Sequence, residues 1–363
     1  MRLLARYFNN LFLFSAVILI GVFTHPAQAW QVIAHEPAFS NNDAAINYLP
    51  LNKASKPWKL CALYPHLKDA YWLSVNYGMV EQSRQLGVEL KVLDANGYNN
   101  EMQQLAQVRQ CKKWGADAIL LGAVSPDMPE VIGNTAGHIP LFGTINAVHE
   151  TEKLRHRLAG RVGVDWYYMG KEVGNFLVEK QKQAGHPLSV AVLAGPKAVG
   201  GTFPVMKGLN DTIKDTPIKI VSEQWDDNSK ELQRNLLQEI IEKFPDVDYI
   251  VGSAVAIEVG INTLRSAGKL DEIGLVATYF SHGVYRGLRR DRIEFAPSDQ
   301  MVLQGRLSVD QAVRYLEDKN PVLDLSTRIV GMTPAYLPTT IVENSLSPAR
   351  FRPVFISTTE KSQ

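Results

Sequence analysis

The sequence predicts an α/β fold made of two doubly wound lobes, and three observations lead to this prediction. Short apolar runs alternate with helical patterns along most of the chain, which is typical of parallel sheets covered by helices on both faces. The alternation continues for about twice the length that one open sheet requires. The 363 residues are also enough for two domains that each bury a core.

The first lobe is predicted from a strand–helix alternation that begins at Leu60. Apolar runs predict four strands, at Leu60–Tyr64, Val88–Leu93, Ala118–Leu121 and Pro140–Ile145. Two helices lie between them, Trp72–Leu86 and Glu101–Trp114, and a glycine follows each of them at Gly87 and Gly115. Glycine directly after a helical pattern is a common helix end, so these glycines mark the helix boundaries.

The same alternation repeats in the second half of the chain after a short strand at Val162–Val164. Four further strands are predicted, at Ser189–Leu193, Ile218–Glu223, Asp248–Val251 and Ile273–Thr278. Apolar residues four apart predict a helix over Glu231–Phe244, and a helical pattern resumes at Ser308–Leu316. Tyr336–Val342 is predicted to be extended.

The first 29 residues have the pattern of a secretory signal peptide. Arg2 and Arg6 give a positive start, Leu11–Phe23 is an uncharged apolar run, and Ala29 closes a small-residue cleavage site. The apolar run is shorter than the roughly 20 residues that a membrane-spanning helix needs. We therefore expect an exported, periplasmic protein in an oxidising compartment, where cysteines can form a disulfide.

These patterns divide the chain into four predicted parts. They are a signal peptide at 1–29, an N-terminal arm at 30–57, an N-terminal lobe at 58–162 plus about 296–322, and a C-terminal lobe at 163–295 plus about 323–357. The arm contains three prolines and shows no clear period. We expect the last part of the chain to cross back to the first lobe and return.

Composition and motifs exclude several functions. The 38 Lys+Arg nearly balance the 37 Asp+Glu, which argues against a nucleic-acid binder with a large basic face. The sequence contains no Walker loop, no Gly-x-Gly-x-x-Gly after a strand and no Gly-x-Ser-x-Gly elbow. Its histidines form no close pair of the kind that binds zinc. We expect no catalytic residue, no cofactor and no metal.

Aromatic residues follow the carboxyl ends of several predicted strands. Tyr71 and Trp72 follow the first strand, Tyr98 follows the second, Trp166 follows the short strand at the crossover, and Tyr279 ends the last. Ligands of open parallel sheets bind at these ends, so the rings of two facing lobes would converge on one cleft. Ring faces attract methylated ammonium groups by about 0.5 to 2 kcal/mol each. The alternative, that such rings pack in the core or between the lobes, stays open for each single position.

The chain resembles the type I periplasmic binding proteins of the ribose-binding kind. Leu63–Trp72 resembles the first strand, aromatic loop and helix of that family, Val164-Asp165 its interlobe crossover, and Ala296–Gln300 its return crossover. The resemblance covers about Lys59–Val342. It implies two Rossmann-like lobes joined by a three-strand hinge. The charged and amide groups that grip sugars in this family are missing at three places, so a hexose or pentose is not expected.

Within the family, the chain most resembles members that sense trimethylamine N-oxide (TMAO). The resemblance depends on Asp69–Trp72, Val164–Met169, Ala277–Phe280 and the long N-terminal arm. It implies that TMAO is bound by an aromatic box, and that the periplasmic domain of a membrane sensor histidine kinase is the partner. The residues it assigns to the box are Trp72, Tyr98, Trp166 and Tyr279, with Tyr71 beside them.

Other interpretations stay open at this point. Asp69, Asp165 or a bound water are the candidates for holding the ligand oxygen. The same lobes would also suit an importer of a quaternary amine or modified sugar, or a sensor for another small signal such as a furanosyl autoinducer. For Cys61 and Cys111, the winding order places the helix after the second strand across the first strand, which permits a disulfide; two buried thiols are an equally open alternative.

Overall fold

The computed structural model describes residues 29–36, 43–148, 157–197 and 199–358. The predicted signal peptide lies outside these ranges except for its last residue, Ala29. Among the helices within these ranges, none is long and apolar enough to cross a membrane.

The described elements alternate as the sequence predicts, and we number them in chain order. The strands are β1 Trp30–His35, β2 Asp43–Tyr48, β3 Lys59–Tyr64, β4 Glu89–Asp94, β5 Ala118–Leu121, β6 Leu141–Ile145, β7 Gly160–Gly163, β8 Leu188–Gly195, β9 Ile218–Trp225, β10 Tyr249–Gly252, β11 Gly274–Ala277, β12 Ala296–Ser298, β13 Asp324–Thr327, β14 Val330–Met332 and β15 Ile356–Ser357. The helices are α1 Ala70–Leu86, α2 Glu101–Trp114, α3 Met128–Ala136, α4 Trp166–Ala184, α5 Thr202–Ile213, α6 Lys230–Lys243, α7 Ala254–Ser266, α8 His282–Leu288, α9 Met301–Leu316 and α10 Thr339–Ser345.

Two separate sheets form the cores of two lobes. The first sheet has the order β15-β4-β3-β5-β6-β7-β13-β1-β2, and the second has the order β11-β10-β8-β9. Neighbouring strands from β4 to β13 run parallel, as do all four strands of the second sheet. The short pair β12–β14 extends the second sheet, because Phe295, directly before β12, forms a parallel bridge to Val276 of β11. This arrangement confirms the predicted α/β fold of two lobes.

Capping aspartates fix where two helices begin at the boundary between the lobes. The Asp69 carboxylate accepts a hydrogen bond from the backbone N–H of Trp72 at 3.2 Å and forms the N-cap of α1. The Asp165 carboxylate accepts a hydrogen bond from the backbone N–H of Tyr168 at 2.8 Å and forms the N-cap of α4. Aspartate is a favoured N-cap because it satisfies a free N–H of the first turn. Both first turns therefore carry their aromatic residues at the carboxyl edge of the first sheet.

Three connections join the lobes between β7 and β14, and the segment from β14 to β15 then returns to the first sheet. The chain leaves the first sheet after β7, at 164–165, and returns from β12 to α9 through Asp299 and Gln300. It crosses again between β13 and β14, at Arg328 and Ile329. Gln300 adopts a left-handed conformation with φ 56°, which costs a residue other than glycine about 1 kcal/mol or more.

The lobe boundaries differ from those predicted. The predicted arm, residues 30–57, is part of the first lobe, because β1 pairs with β13 and β2 pairs with β1. The segment 323–357 is divided, since β13 and β15 pair in the first sheet and β14 pairs with β12 beside the second. The segment 296–322 likewise begins in the second lobe with β12. These pairings join strands far apart in the chain, so local sequence patterns do not reveal them.

The prediction that Tyr336–Val342 is extended is also wrong, because α10 begins within this segment. Its β-branched residues favour strands in general. The helix instead packs on α9, and the hydroxyl of Ser345 lies 2.6 Å from that of Ser298. Tertiary packing outweighs local propensity here.

The structure joins Cys61 of β3 and Cys111 of α2 in a disulfide. The S–S distance is 2.06 Å, and both residues are fully buried. Since β3 lies between β4 and β5, the disulfide joins α2 to an interior strand of the first sheet.

Candidate functional site

A small cavity lies between the two lobes at the carboxyl ends of their strands. Its volume is about 60 Å³, whereas pockets for drug-sized ligands measure roughly 300–1,000 Å³. The cavity therefore suits a ligand of only a few heavy atoms. Its lining comes from both lobes and comprises His66, Asp69, Tyr71, Trp72, Tyr98, Asn146, Trp166, Ala194, Pro196, Val199, Gly200, Gly201, Thr202, Val205, Asn228, Ser253, Thr278 and Tyr279.

All five aromatic residues that the sequence singles out line this cavity. The ring of Tyr71 lies near the centre of the group, with ring centroids 5.6 Å from Tyr279, 6.3 Å from Trp166 and 6.1 Å from Trp72. Tyr98 completes the set on the side of the first lobe. Trp72 is 1% exposed and Trp166 is 9% exposed, so their ring faces are shielded from bulk water.

Two glycines make room for the tryptophan rings. A Cβ atom at Gly122 would lie 2.5 Å from Cη2 of Trp72, and one at Gly201 would lie 2.0 Å from Cδ2 of Trp166. Real Cβ atoms do not approach ring carbons this closely, so any side chain at either glycine would displace a ring. The sequence alone gives no sign of this role.

Hydrogen bonds to backbone carbonyls hold Trp166 and Asn146 in place, and burial keeps the tyrosine hydroxyls neutral. The Asn146 amide donates to the Ala123 carbonyl at 2.7 Å. The side chains of Trp72 and Asn146 also interact with the Tyr98 hydroxyl, which partly opposes the rise of its pKa. The Trp166 indole N–H donates to the Ile145 carbonyl at 3.3 Å. Burial raises the pKa of the Tyr98, Tyr71 and Tyr279 hydroxyls above their ordinary value. All three tyrosines are therefore uncharged at neutral pH.

The charge around the cavity favours a positive group. Among the described lining residues there is one carboxylate, Asp69, and no lysine or arginine. Asp69 also contributes, after burial, to the raised pKa of Tyr279. Ring faces and a nearby carboxylate together stabilise a positively charged, apolar group better than a neutral sugar.

Of the two aspartates that the sequence suggests for holding the ligand oxygen, only Asp69 lies at the cavity. Asp165 does not line it, and its carboxylate instead caps α4, which corrects the prediction for that residue. The neighbouring rings of Tyr167 and Tyr168 are exposed. Because helical residues turn by about 100° each, only the first residue of α4 faces the cavity.

Sequence reasoning missed the polar part of the lining. Asn146, Ser253 and Thr278 directly follow β6, β10 and β11, so they meet the same strand-end rule that identified the rings. His66 and Asn228 also line the cavity. Nδ1 of His66 and Oδ1 of Asn228 are buried and have no hydrogen-bond partner among the described residues. These two groups are therefore available to a polar ligand atom.

Asp299 lies behind the aromatic residues, in the second connection between the lobes. It is fully buried and accepts hydrogen bonds from the Tyr71 hydroxyl at 2.5 Å and the Gln304 amide at 2.8 Å. Burial raises the pKa of this carboxyl, and the two hydrogen bonds oppose that rise. The contact links a cavity residue directly to the hinge.

Replacing Asp299 with asparagine is expected to stabilise the protein at pH 7 by on the order of 1 kcal/mol, since it removes a buried charge and keeps an acceptor for Tyr71. A carboxyl whose pKa is raised by folding stabilises the folded state below its unfolded pKa, and this contribution is lost as the pH rises through the folded pKa. The advantage of Asp299→Asn should therefore shrink between pH 7 and pH 4. Urea denaturation at both pH values measures it, and an advantage independent of pH would contradict the assignment.

Comparison with known families and proteins places this cavity in context. Residues 57–319 match the family model described as periplasmic binding proteins and sugar binding domain of LacI family. The chain is 43% identical over 307 residues to the periplasmic protein TorT of Escherichia coli O157:H7, covering 85% of this chain and 86% of that protein.

Solved structures give a consistent result. A chain in the complex of the TorS sensor domain with TorT in the presence of TMAO is 48% identical, with a TM-score of 0.76, covering 82% of this chain and 99% of that one. A solute-binding protein of an ABC transporter from Bradyrhizobium sp. BTAi1, with bound bis-tris, is 35% identical with a TM-score of 0.77, covering 92% of this chain and 98% of that one.

Proposed function

Because this chain belongs to the family of periplasmic binding proteins and LacI-type sugar-binding domains, we propose that it is a periplasmic TMAO sensor. It binds TMAO between its lobes without changing it chemically, and it regulates a membrane sensor histidine kinase that controls TMAO respiration. The observation that carries the proposal is the aromatic lining of the interlobe cavity, formed by Trp72, Tyr98, Trp166 and Tyr279 beside Tyr71. The similarity to TorT, which is found in complex with the TorS sensor domain, supports the choice of partner.

The chemistry of TMAO fits this lining. Its nitrogen is positive and carries three methyl groups, so it cannot donate a hydrogen bond and is best met by ring faces. Its oxygen accepts hydrogen bonds, and the Asp69 carboxylate cannot donate one to it because an ionised carboxylate is only an acceptor. We assign Asp69 to the positive end of the ligand. The His66 ring is the proposed donor to the oxygen, because its buried Nδ1 has no other partner among the described residues.

Ligand binding controls the arrangement of the lobes. Tyr98 belongs to the first lobe and Tyr279 to the second, so TMAO contacts both lobes only when they are closed around it. A ligand shifts such an equilibrium by the difference in its affinity for the two states. The kinase then responds to the geometry of the lobes.

A second candidate function is delivery of a quaternary amine or modified sugar to an importer. The similarity to the solute-binding protein of an ABC transporter favours it. Binding to the periplasmic domain of a sensor kinase distinguishes the two functions, since an importer component has no need of it.

A calorimetric screen of TMAO, trimethylamine, betaine, choline and ribose tests the proposed ligand. We expect TMAO to bind most tightly, because it alone in this set pairs a compact trimethylated nitrogen with a directly attached oxygen. Trimethylamine lacks the oxygen, and betaine and choline exceed the small volume of the cavity. Binding of ribose, or the absence of heat with TMAO, would contradict the proposal.

A further inference from the structure

A second, larger cleft lies at the hinge and contains three arginines. Arg286 comes from α8 of the second lobe, Arg306 from α9 against the first lobe, and Arg328 from the third connection between the lobes. The volume of this cleft is about 870 Å³, and none of its lining residues belongs to the aromatic cavity. We call it the arginine cleft.

The described lining of the arginine cleft carries an excess of positive charge, although Arg328 also borders a neighbouring cavity that contains Asp43, Asp165 and Glu172. None of its three arginines forms an ion pair there, and Glu343 is the one acidic residue in the described lining. Other arginines of the protein do have carboxylate partners, as Arg314 has in Asp310 at 3.0 Å. Guanidinium groups that line one cleft attract carboxylates, and each can bind a carboxylate with two parallel hydrogen bonds.

Aromatic residues accompany these arginines. Trp30, Tyr77 and Tyr285 also line the arginine cleft, and all three are partly exposed. Arginine, tryptophan and tyrosine are the residues that contribute most binding energy at protein interfaces. The volume of the cleft exceeds what a ligand of a few atoms would fill, so a segment of another protein is the better match.

We propose that an acidic segment of the periplasmic domain of the sensor kinase docks in the arginine cleft. This inference rests on the proposed function, because it takes the kinase as the partner. The carboxylates of the segment pair with the three guanidinium groups, and its apolar parts pack on the aromatic rings.

The position of the cleft couples docking to the ligand. Tyr71 of the aromatic cavity donates to Asp299, and the next residue, Gln300, lines the arginine cleft. The Gln300 amide donates to the carbonyl of Arg328 at 2.8 Å. Because Arg286 and Arg306 lie on different lobes, lobe closure changes the spacing between them. Docking therefore favours one lobe arrangement, and the kinase domain and TMAO must change each other's affinity by the same factor.

Charge reversal tests the arginine cleft. The variant R286E/R306E/R328E is compared with R109E/R234E/R290E, whose three exposed arginines lie outside the cleft and change the net charge equally. We expect the first variant to bind the kinase periplasmic domain about 100-fold more weakly in the presence of TMAO, and the second within about threefold of the unaltered protein. Both should bind TMAO alone with unchanged affinity, which also shows that they are folded.

The outcomes separate this inference from the proposed function. If the unaltered protein binds TMAO and the kinase domain, and both variants bind the domain equally, the docking site is wrong while the function stands. If the unaltered protein binds neither, the proposed function itself is wrong.

The single variants Arg286→Gln and Arg328→Gln, at exposed positions, provide a milder test. Each is expected to bind the kinase domain about tenfold more weakly. Inorganic sulfate that binds in the cleft, together with undiminished kinase binding by the charge-reversed variant, would indicate a free-anion site and overturn the proposal.

Discussion

Trp72→Leu is expected to weaken TMAO binding about 100-fold, which corresponds to roughly 2.7 kcal/mol. A desolvated ring face contributes about 2 kcal/mol to binding a methylated cationic nitrogen. Trp72 is 1% exposed and its side chain interacts with the Tyr98 hydroxyl, so the substitution removes one ring and also weakens the support of a second. Isothermal titration with TMAO measures the effect.

Two further variants separate the contribution of the ring from that of apolar volume. Trp72→Phe retains a ring face but no N–H donor, so we expect about tenfold weaker binding. Trp225→Leu removes a tryptophan of the second lobe that contacts Phe203 outside the aromatic cavity, and TMAO affinity should not change. Equal weakening by Trp72→Phe and Trp72→Leu would show that ring faces do not hold the ligand. Thermal unfolding verifies that each variant is folded.

Replacing Cys61 and Cys111 with alanine is expected to lower the free energy of unfolding by about 4 kcal/mol. The disulfide spans a sequence separation of 50, and closing a loop of that length restricts the unfolded chain considerably. Urea denaturation of the double variant beside the oxidised protein measures the difference.

Reduction of the unaltered protein serves as the matched comparison. A thiol reductant should destabilise the unaltered protein and leave the double variant unchanged. TMAO affinity should stay the same, because Cys61 lies in the first half of β3 and the aromatic cavity lies beyond the end of that strand. Unchanged stability on reduction, with both sulfurs alkylated afterwards, would contradict a stabilising role for the bridge.

Much of the aromatic cavity can be predicted from local sequence. Tyr71, Tyr98 and Tyr279 each follow an apolar run that a turn or helix pattern ends, and parallel strands bring such ends to one edge. The same rule would have identified Asn146 and Thr278, which also follow strands. Asp165 shows where the rule fails, because its neighbour Trp166 faces the cavity while Asp165 caps the helix.

The sequence by itself determined the α/β alternation, the two lobes and the rings at the strand ends, because periodicity and turn residues act over a few neighbouring positions. Only the tertiary structure decided that β13 belongs to the first sheet, that Asp299 lies behind Tyr71, and that Arg286 and Arg328 meet in one cleft. These residues are far apart in the chain. Their contacts depend on strand register and lobe packing, which no local pattern encodes.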